Sequence, residues 1–176
     1  MATLSPGDTA PDFDLATNGG RRLRLSKLVG KIAVVYFYPA DDTPNCTTEA
    51  VSFSLAKPGF DAIGVEIIGV SPDSGTSHDN FCRKYDLGIT LAADVDRSVA
   101  ALYGTFVEKT MFGRRFMGVA RTTFLIGRDG RIARTWNRVK VKGHAEEVLA
   151  AARALCAPAI TYAGTSRFSR FSQREC

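Results

Sequence analysis

The sequence predicts an α/β fold, a central mixed β-sheet flanked by helices with an N-terminal β-hairpin. Three observations carry the expectation. The run Lys31-Ile32-Ala33-Val34-Val35-Tyr36-Phe37-Tyr38 is a continuous stretch of β-formers, strand and helix patterns alternate from there to Tyr103, and a strand hairpin with one closing helix follows. Strands and helices in that order bury their apolar surfaces as a sheet covered on both faces. Taking the elements in order, Leu15 to Leu28 carries Gly19-Gly20 between short alternating segments and reads as a hairpin. The apolar run to Tyr38 shows no polar alternation, so it reads as a strand buried on both faces and ended by Pro39. Thr43-Pro44 offers an N-cap and a proline at the first helical position; the helix is expected to run to Ala56 and stop at Lys57-Pro58-Gly59. Val65 to Val70 is a strand, Ser77 to Tyr85 a short helix, Ile89 to Ala92 a short strand and Asp96 to Tyr103 another helix. Arg121 to Ile126 and Arg131 to Trp136 are strands joined by the turn signal Gly127-Arg128-Asp129-Gly130, and His144 to Cys156 is the closing amphipathic helix.

The length of 176 residues fits one domain, expected over 1–160, followed by a basic tail over 161–176. With 45% hydrophobic and 23% charged residues and a mean hydropathy of -0.05, disordered, collagenous and coiled-coil classes are set aside. No apolar run approaches the roughly 18 residues that cross a bilayer. Met1 to Asp14 mixes Pro, Gly and Asp where a secretory signal needs an apolar stretch, so a cytoplasmic location is expected. The net charge of +5 is too diffuse to require nucleic acid or a membrane surface, and neither is expected as a partner. The repeat Arg167-Phe168-Ser169-Arg170-Phe171-Ser172 sits in the tail and reads as a solubilising segment ahead of a nucleic-acid or membrane contact. Four cysteines, at 46, 82, 156 and 176, form no C-x-x-C, and His78 and His144 are the only histidines. Zinc spacing is absent, and neither a metal nor a cofactor is expected.

Reactive groups in such sheets gather at the carboxyl ends of the strands, where this sequence places Pro39, Asp41, Asp42, Thr43 and Cys46. Counting from Thr43 as N-cap makes Cys46 the third helical residue, in the turn whose N–H groups lack intrahelical partners. The helix dipole and those amides favour the thiolate. An N-cap hydroxyl reaches toward the third helical residue, so the Thr43 hydroxyl and the Cys46 sulfur are expected to face each other in one pocket, with Pro39 shielding it from water. On base rates alone, a cysteine near a helix start is more commonly a small buried hydrophobe.

Tyr36-Phe37-Tyr38-Pro39-Ala40-Asp41-Asp42-Thr43-Pro44-Asn45-Cys46-Thr47-Thr48-Glu49 resembles the peroxidatic motif P-x-x-x-[TS]-x-x-C of the peroxiredoxins, and its surroundings resemble the peroxiredoxin Q or bacterioferritin comigratory subfamily. Gly7-Asp8-Thr9-Ala10-Pro11-Asp12-Phe13, Ala120-Arg121-Thr122-Thr123-Phe124-Leu125-Ile126 and Val139 to Val148 add to the resemblance, which spans roughly residues 4 to 156. It implies a thioredoxin-like fold. It also implies a thiol peroxidase that reduces hydrogen peroxide and organic hydroperoxides and is re-reduced by thioredoxin or a related dithiol protein. On the same resemblance Cys46 attacks the peroxide, Thr43 and Arg121 bind and polarise it, and Arg121 also holds Cys46 as thiolate. Without the motif Arg121 reads as an exposed strand-edge residue. Glu49 is a candidate for orienting an arginine, although by itself it reads as a solvated helix-face glutamate.

Many members of the subfamily carry a resolving cysteine five residues after the peroxidatic one; here that position is Val51. Cys82 occupies the helix position at which other members carry theirs, so the resemblance implies a Cys46–Cys82 disulfide. Cys176 ranks next and Cys156 last, and a one-cysteine mechanism resolved by an external thiol stays open. The chain is expected to be a monomer rather than a dimer. Two other classes compete: a disulfide oxidoreductase, which lacks its C-x-x-C here, and a noncatalytic interaction protein with a basic tail, which leaves the coincidence of Pro39, Thr43, Cys46 and Arg121 unexplained.

Overall fold

A computed structural model describes residues 3–158, so the tail, Cys176 and the Arg-Phe-Ser repeat lie outside the described residues. Strands Asp14–Thr17 (β1) and Arg21–Arg24 (β2) pair antiparallel around a 3-10 turn at Asn18–Gly20, where Gly19-Gly20 marks the hairpin. All six residues of Ile32–Phe37 (β3) are buried, as an unbroken apolar run demands. Helix Pro44–Asp61 (α1) starts at the expected cap but continues through Lys57-Pro58-Gly59 instead of stopping there. Tertiary packing overrides the breaker signal: Phe60 is fully buried, and a Cβ at Gly59 would lie 2.9 Å from Leu149 Cδ2.

Val65–Ser71 (β4) runs parallel to β3. Gly75–Tyr85 (α2) begins two residues before the expected Ser77, because Ser74 supplies the N-cap and its Oγ accepts from the Ser77 amide at 3.2 Å. Thr90–Ala93 (β5) continues the parallel set. Ser98–Leu102 (α3) is shorter than the expected Asp96 to Tyr103, since the Asp94 carboxylate takes the Val99 and Ala100 amides at 3.1 and 2.8 Å and starts the helix late.

Phe106–Met111 (β6) and Arg114–Val119 (β7) form a two-stranded ribbon apart from the main sheet, in a stretch to which the sequence pattern assigns no element. The ribbon is exposed over much of both strands, so no one-sided burial period marks it in the sequence. Thr122–Ile126 (β8) and Ile132–Asn137 (β9) make the expected hairpin, and His144–Cys156 (α4) closes the described chain.

The main sheet has the order β2-β1-β5-β4-β3-β8-β9, with β3, β4 and β5 parallel and the remaining pairings antiparallel. One face buries Tyr36, Phe53, Phe60, Phe81 and Val148 beneath α1, α2 and α4. The other buries Val35, Phe37, Phe124 and Tyr103 beneath α3 and the N-terminal segment. The central position of β3 between β4 and β8 matters most, because whatever follows β3 is flanked by the ends of both neighbours.

Candidate active site

Beyond β3 the Tyr38 amide makes one more ladder bond, to the Val70 carbonyl at 3.1 Å. The chain then turns through Pro39 to Thr43, with Asp42 in the left-handed region at φ 54. Pro39 is half-buried beside the turn. Thr43 is extended, Pro44 opens α1, and Cys46 is the third helical residue, 2% exposed. The Thr43 side chain departs from expectation. It makes no capping bond to the helix; its hydroxyl donates to the Ala40 carbonyl at 3.1 Å, so the local loop oxygen takes the proton that was expected to point into the Cys46 pocket.

Arg121 immediately precedes β8. Because β8 pairs antiparallel with β3 through Phe37 and Thr122, Arg121 falls where β3 ends and the Cys46 loop begins. Its Nη2 donates to the Cys46 sulfur at 3.2 Å and its Nη1 forms an ion pair with Glu49. The arginine side chain is 14% exposed and that of Glu49 is 1% exposed. The solvated reading of Glu49 is therefore wrong, as is the surface reading of Arg121. Glu49 lies one helical turn beyond Cys46, and a residue at that spacing shares the buried face of α1.

Burial pushes the Glu49 carboxyl up to about 7 against the opposing pull of Arg121, and its Oε1 has no hydrogen-bond partner. For Arg121, burial works against the charge and is outweighed by Glu49 and Cys46, so the guanidinium stays cationic. A second cation approaches from the ribbon: Lys109 donates to the Val119 carbonyl, and burial together with the Arg121 charge lowers its ammonium while the Cys46 sulfur acts in the opposite sense. Sequence reasoning missed this lysine because it missed the ribbon.

Cys82 stands apart from this group, half-buried on α2, where its sulfur accepts from Asn18 Nδ2 at 3.4 Å. Burial, with Asp41 and Asp79 adding to it, pushes the Cys82 thiol up to about 11 against the Asn18 hydrogen bond. Cys156 donates to the Ile63 carbonyl at 3.6 Å, at the approach to β4. Cys46, Cys82 and Cys156 are all free thiols. Asn18, Asp41, Asp42 and His78 also carry contacts around the two cysteine segments; the signal available for them was the Asp-Asp pair inside the motif and a histidine one turn before Cys82. Among the described residues no three His, Cys, Asp or Glu side chains gather as metal ligands, and no helix is long and apolar enough to cross a membrane.

A cysteine sulfur in a buried pocket beside a fixed guanidinium, at a helix start on the carboxyl edge of a mixed sheet, is placed where it can act as a nucleophile toward an electrophilic atom that fits beside it. Fold and site together define a thioredoxin-fold thiol enzyme. The AhpC/TSA family profile matches residues 6–135, and the chain belongs to that family. Peroxiredoxin Bcp of Xanthomonas campestris is 43% identical over 143 residues, covering 81% of this chain and 89% of that protein. Peroxiredoxin Bcp of Bacillus subtilis is 42% identical over 147 residues, covering 84% and 94%. A solved structure of the Xanthomonas campestris bacterioferritin comigratory protein, described for alkyl peroxide reduction, superposes with a TM-score of 0.80 at 39% identity over 88% of this chain and 98% of that one. The relatives are peroxiredoxins, thiol-dependent peroxidases, and this protein is one as well, which sets aside the noncatalytic and dithiol-oxidoreductase readings.

Proposed function

We propose that Cys46 is the residue that reduces the peroxide, on the single observation that its buried sulfur lies 3.2 Å from the Arg121 guanidinium in the first turn of α1. The Cys46 thiolate attacks one oxygen of the peroxide in line with the O–O bond. A sulfur–oxygen bond forms and the O–O bond breaks. The electron pair leaves on the far oxygen as hydroxide or alkoxide, which takes a proton to become water or an alcohol, and Cys46 is left as sulfenic acid. Arg121 stabilises the charge that develops, and Thr43 adds a second donor once its hydroxyl turns from the Ala40 carbonyl to the bound peroxide. Glu49 holds the guanidinium in place, and Pro39 shields the pocket. Hydrogen peroxide and organic hydroperoxides are the proposed substrates; the alkyl peroxide reduction named for the Xanthomonas campestris relative supports the second class.

Cys82 then attacks the sulfenic sulfur. The S–S bond forms, the S–O bond breaks, and hydroxide leaves with the thiol proton as water. Thioredoxin or a related dithiol protein reduces the disulfide, and the enzyme acts as a monomer in the cytoplasm. One observation favours a second reading: with its thiol pushed up to about 11, Cys82 is a poor nucleophile where it sits, which suits attack by an external thiol. Cys46→Ser should abolish peroxide consumption while leaving the fold intact, and near wild-type turnover by that variant would overturn the assignment. Mass spectrometry after one equivalent of peroxide separates the two resolving routes. A Cys46–Cys82 bridge supports the first, whereas full thioredoxin-coupled turnover by Cys82→Ser supports the second.

A further inference from the structure

Two consecutive aspartates in the Cys46 loop grip opposite ends of the helix that carries Cys82. Asp41 Oδ1 accepts from the Tyr38 hydroxyl at 2.6 Å, and its Oδ2 accepts from Ser77 Oγ at 2.7 Å and His78 Nδ1 at 2.8 Å. Its backbone amide donates to Asp73 Oδ2 at 2.8 Å, an oxygen that also receives the Ser71 hydroxyl at 2.7 Å. The Asp41 side chain is 5% exposed and that of His78 is fully buried. Asp42, held in the left-handed region, accepts from Tyr85 Oη at 2.5 Å and Lys84 Nζ at 2.6 Å. Ser77 and His78 lie near the start of α2 and Lys84 and Tyr85 in its last turn, so Cys82 is on the span between the two grips.

We propose that Asp41 and Asp42 are positioning residues that latch the Cys46 loop onto both ends of α2 and thereby set how fast Cys82 reaches oxidised Cys46. The proposal rests on the reading that Cys82 resolves. A disulfide needs the two Cα atoms within about 7 Å, and the cysteines stand in separate helices. A helix as short as α2, eleven residues, is marginal without tertiary contacts, so its grips decide its opening. Each hydrogen bond that must break shifts the opening equilibrium about three- to tenfold. While α2 stays closed, the sulfenic acid is exposed to a second peroxide, which transfers an oxygen to the sulfur, gives the sulfinic acid and leaves as water or alcohol. The latch therefore sets the balance between a disulfide that can be recycled and an enzyme lost to over-oxidation.

The test uses the α2 side of each grip, on residues that make no hydrogen bond to Cys46 or Arg121. Tyr85→Phe combined with Lys84→Met removes the outer grip at an exposed site and keeps the ring of residue 85 against Phe81; Ser77→Ala weakens the inner one without disturbing His78. In single turnover, sulfenic acid formation should stay within about twofold of wild type. Disulfide formation should rise about three- to tenfold, with sulfinic Cys46 at high peroxide falling by the same factor. Amide exchange over residues 75–88 of the reduced protein should quicken in parallel. A merely structural role would lower the melting temperature without separating the two steps. Unchanged exchange together with an unchanged ratio of disulfide to sulfinic product, in protein whose oxidised form carries the Cys46–Cys82 bridge, overturns the latch alone. Absence of that bridge in oxidised wild type overturns the resolving reading and the latch with it.

Discussion

The guanidinium of Arg121 is divided between a sulfur and a buried carboxylate, and the division makes the site sensitive to the shape of the cation as well as to its charge. Arg121→Ala should cost about 100- to 1000-fold in the rate of peroxide reduction, measured in single turnover. Arg121→Lys should recover only part of that rate, because an ammonium supplies the charge without the fork that spans both partners. Near the same pocket His144 is packed edge-on to Phe53 and Trp136, with Nε2 2.8 Å from Thr123 Oγ1. Burial lowers its pKa from 6.5 to about 4, with Arg121 acting in the same direction and Glu147 and Glu146 opposing. A histidine that the fold keeps neutral contributes its full stability above the unfolded value and loses it as the pH falls toward the folded one. Urea unfolding at about pH 7.5 and again near 4.5 should therefore show His144→Gln losing about 2 kcal/mol less than wild type across that interval.

At the scale of elements, the strands around the site tolerate little added volume. Gly69 of β4 faces the ring of Tyr36: a Cβ there would lie 2.6 Å from Tyr36 Cζ and 2.8 Å from Leu91 Cδ2. Tyr36 is fully buried against Tyr38 and Phe53, so it has nowhere to move. Gly69→Ala should destabilise the protein by about 2 kcal/mol, measured by denaturant midpoint. The ribbon offers the opposite case. Its two-residue turn puts Phe112 at φ 50 ahead of Gly113, and Phe112 is 98% exposed, so a bulky side chain pays a backbone penalty there with no packing in return. Phe112→Asn should stabilise the protein by about 1 kcal/mol and raise its melting temperature by about 2–4 °C.

For the molecule as a whole, the proposed Cys46–Cys82 disulfide makes β3 the element expected to stay in place and α2 the one expected to move. Every residue of β3 is buried and both its edges are paired, whereas α2 is held chiefly by Phe81, by Cys82 on Asn18, and by its contacts with Asp41 and Asp42. Hydrogen exchange after one equivalent of peroxide should show amides over 75–88 losing protection while those over 32–37 keep theirs, with reversal on adding dithiol. Equal loss in both segments would mean that oxidation unfolds the molecule rather than one helix.

Several of these features were written in local residue order. The β-former run to Tyr38, the Thr43-Pro44 helix start and the Gly127–Gly130 turn each depend on neighbours within a few positions, and each is where the pattern puts it. The local cues that failed were overruled from a distance: Lys57-Pro58-Gly59 did not end α1 because Phe60 had a core to enter, and the ribbon escaped notice because its exposed strands leave no burial period. Glu49 is the clearest case. Three residues from Cys46 it looks like any solvated helix glutamate, and only its partner, 72 residues away on the neighbouring strand's approach, makes it a buried counter-ion. The sequence by itself determined the strands of the main sheet, the start of α1 and the place of Cys46 in that helix, because hydrophobic period and capping act over one or two turns of chain. Tertiary structure alone decided that Glu49 is buried against Arg121, where the Thr43 hydroxyl points and what the two ends of the Cys82 helix bond to, because those contacts depend on how distant segments come together.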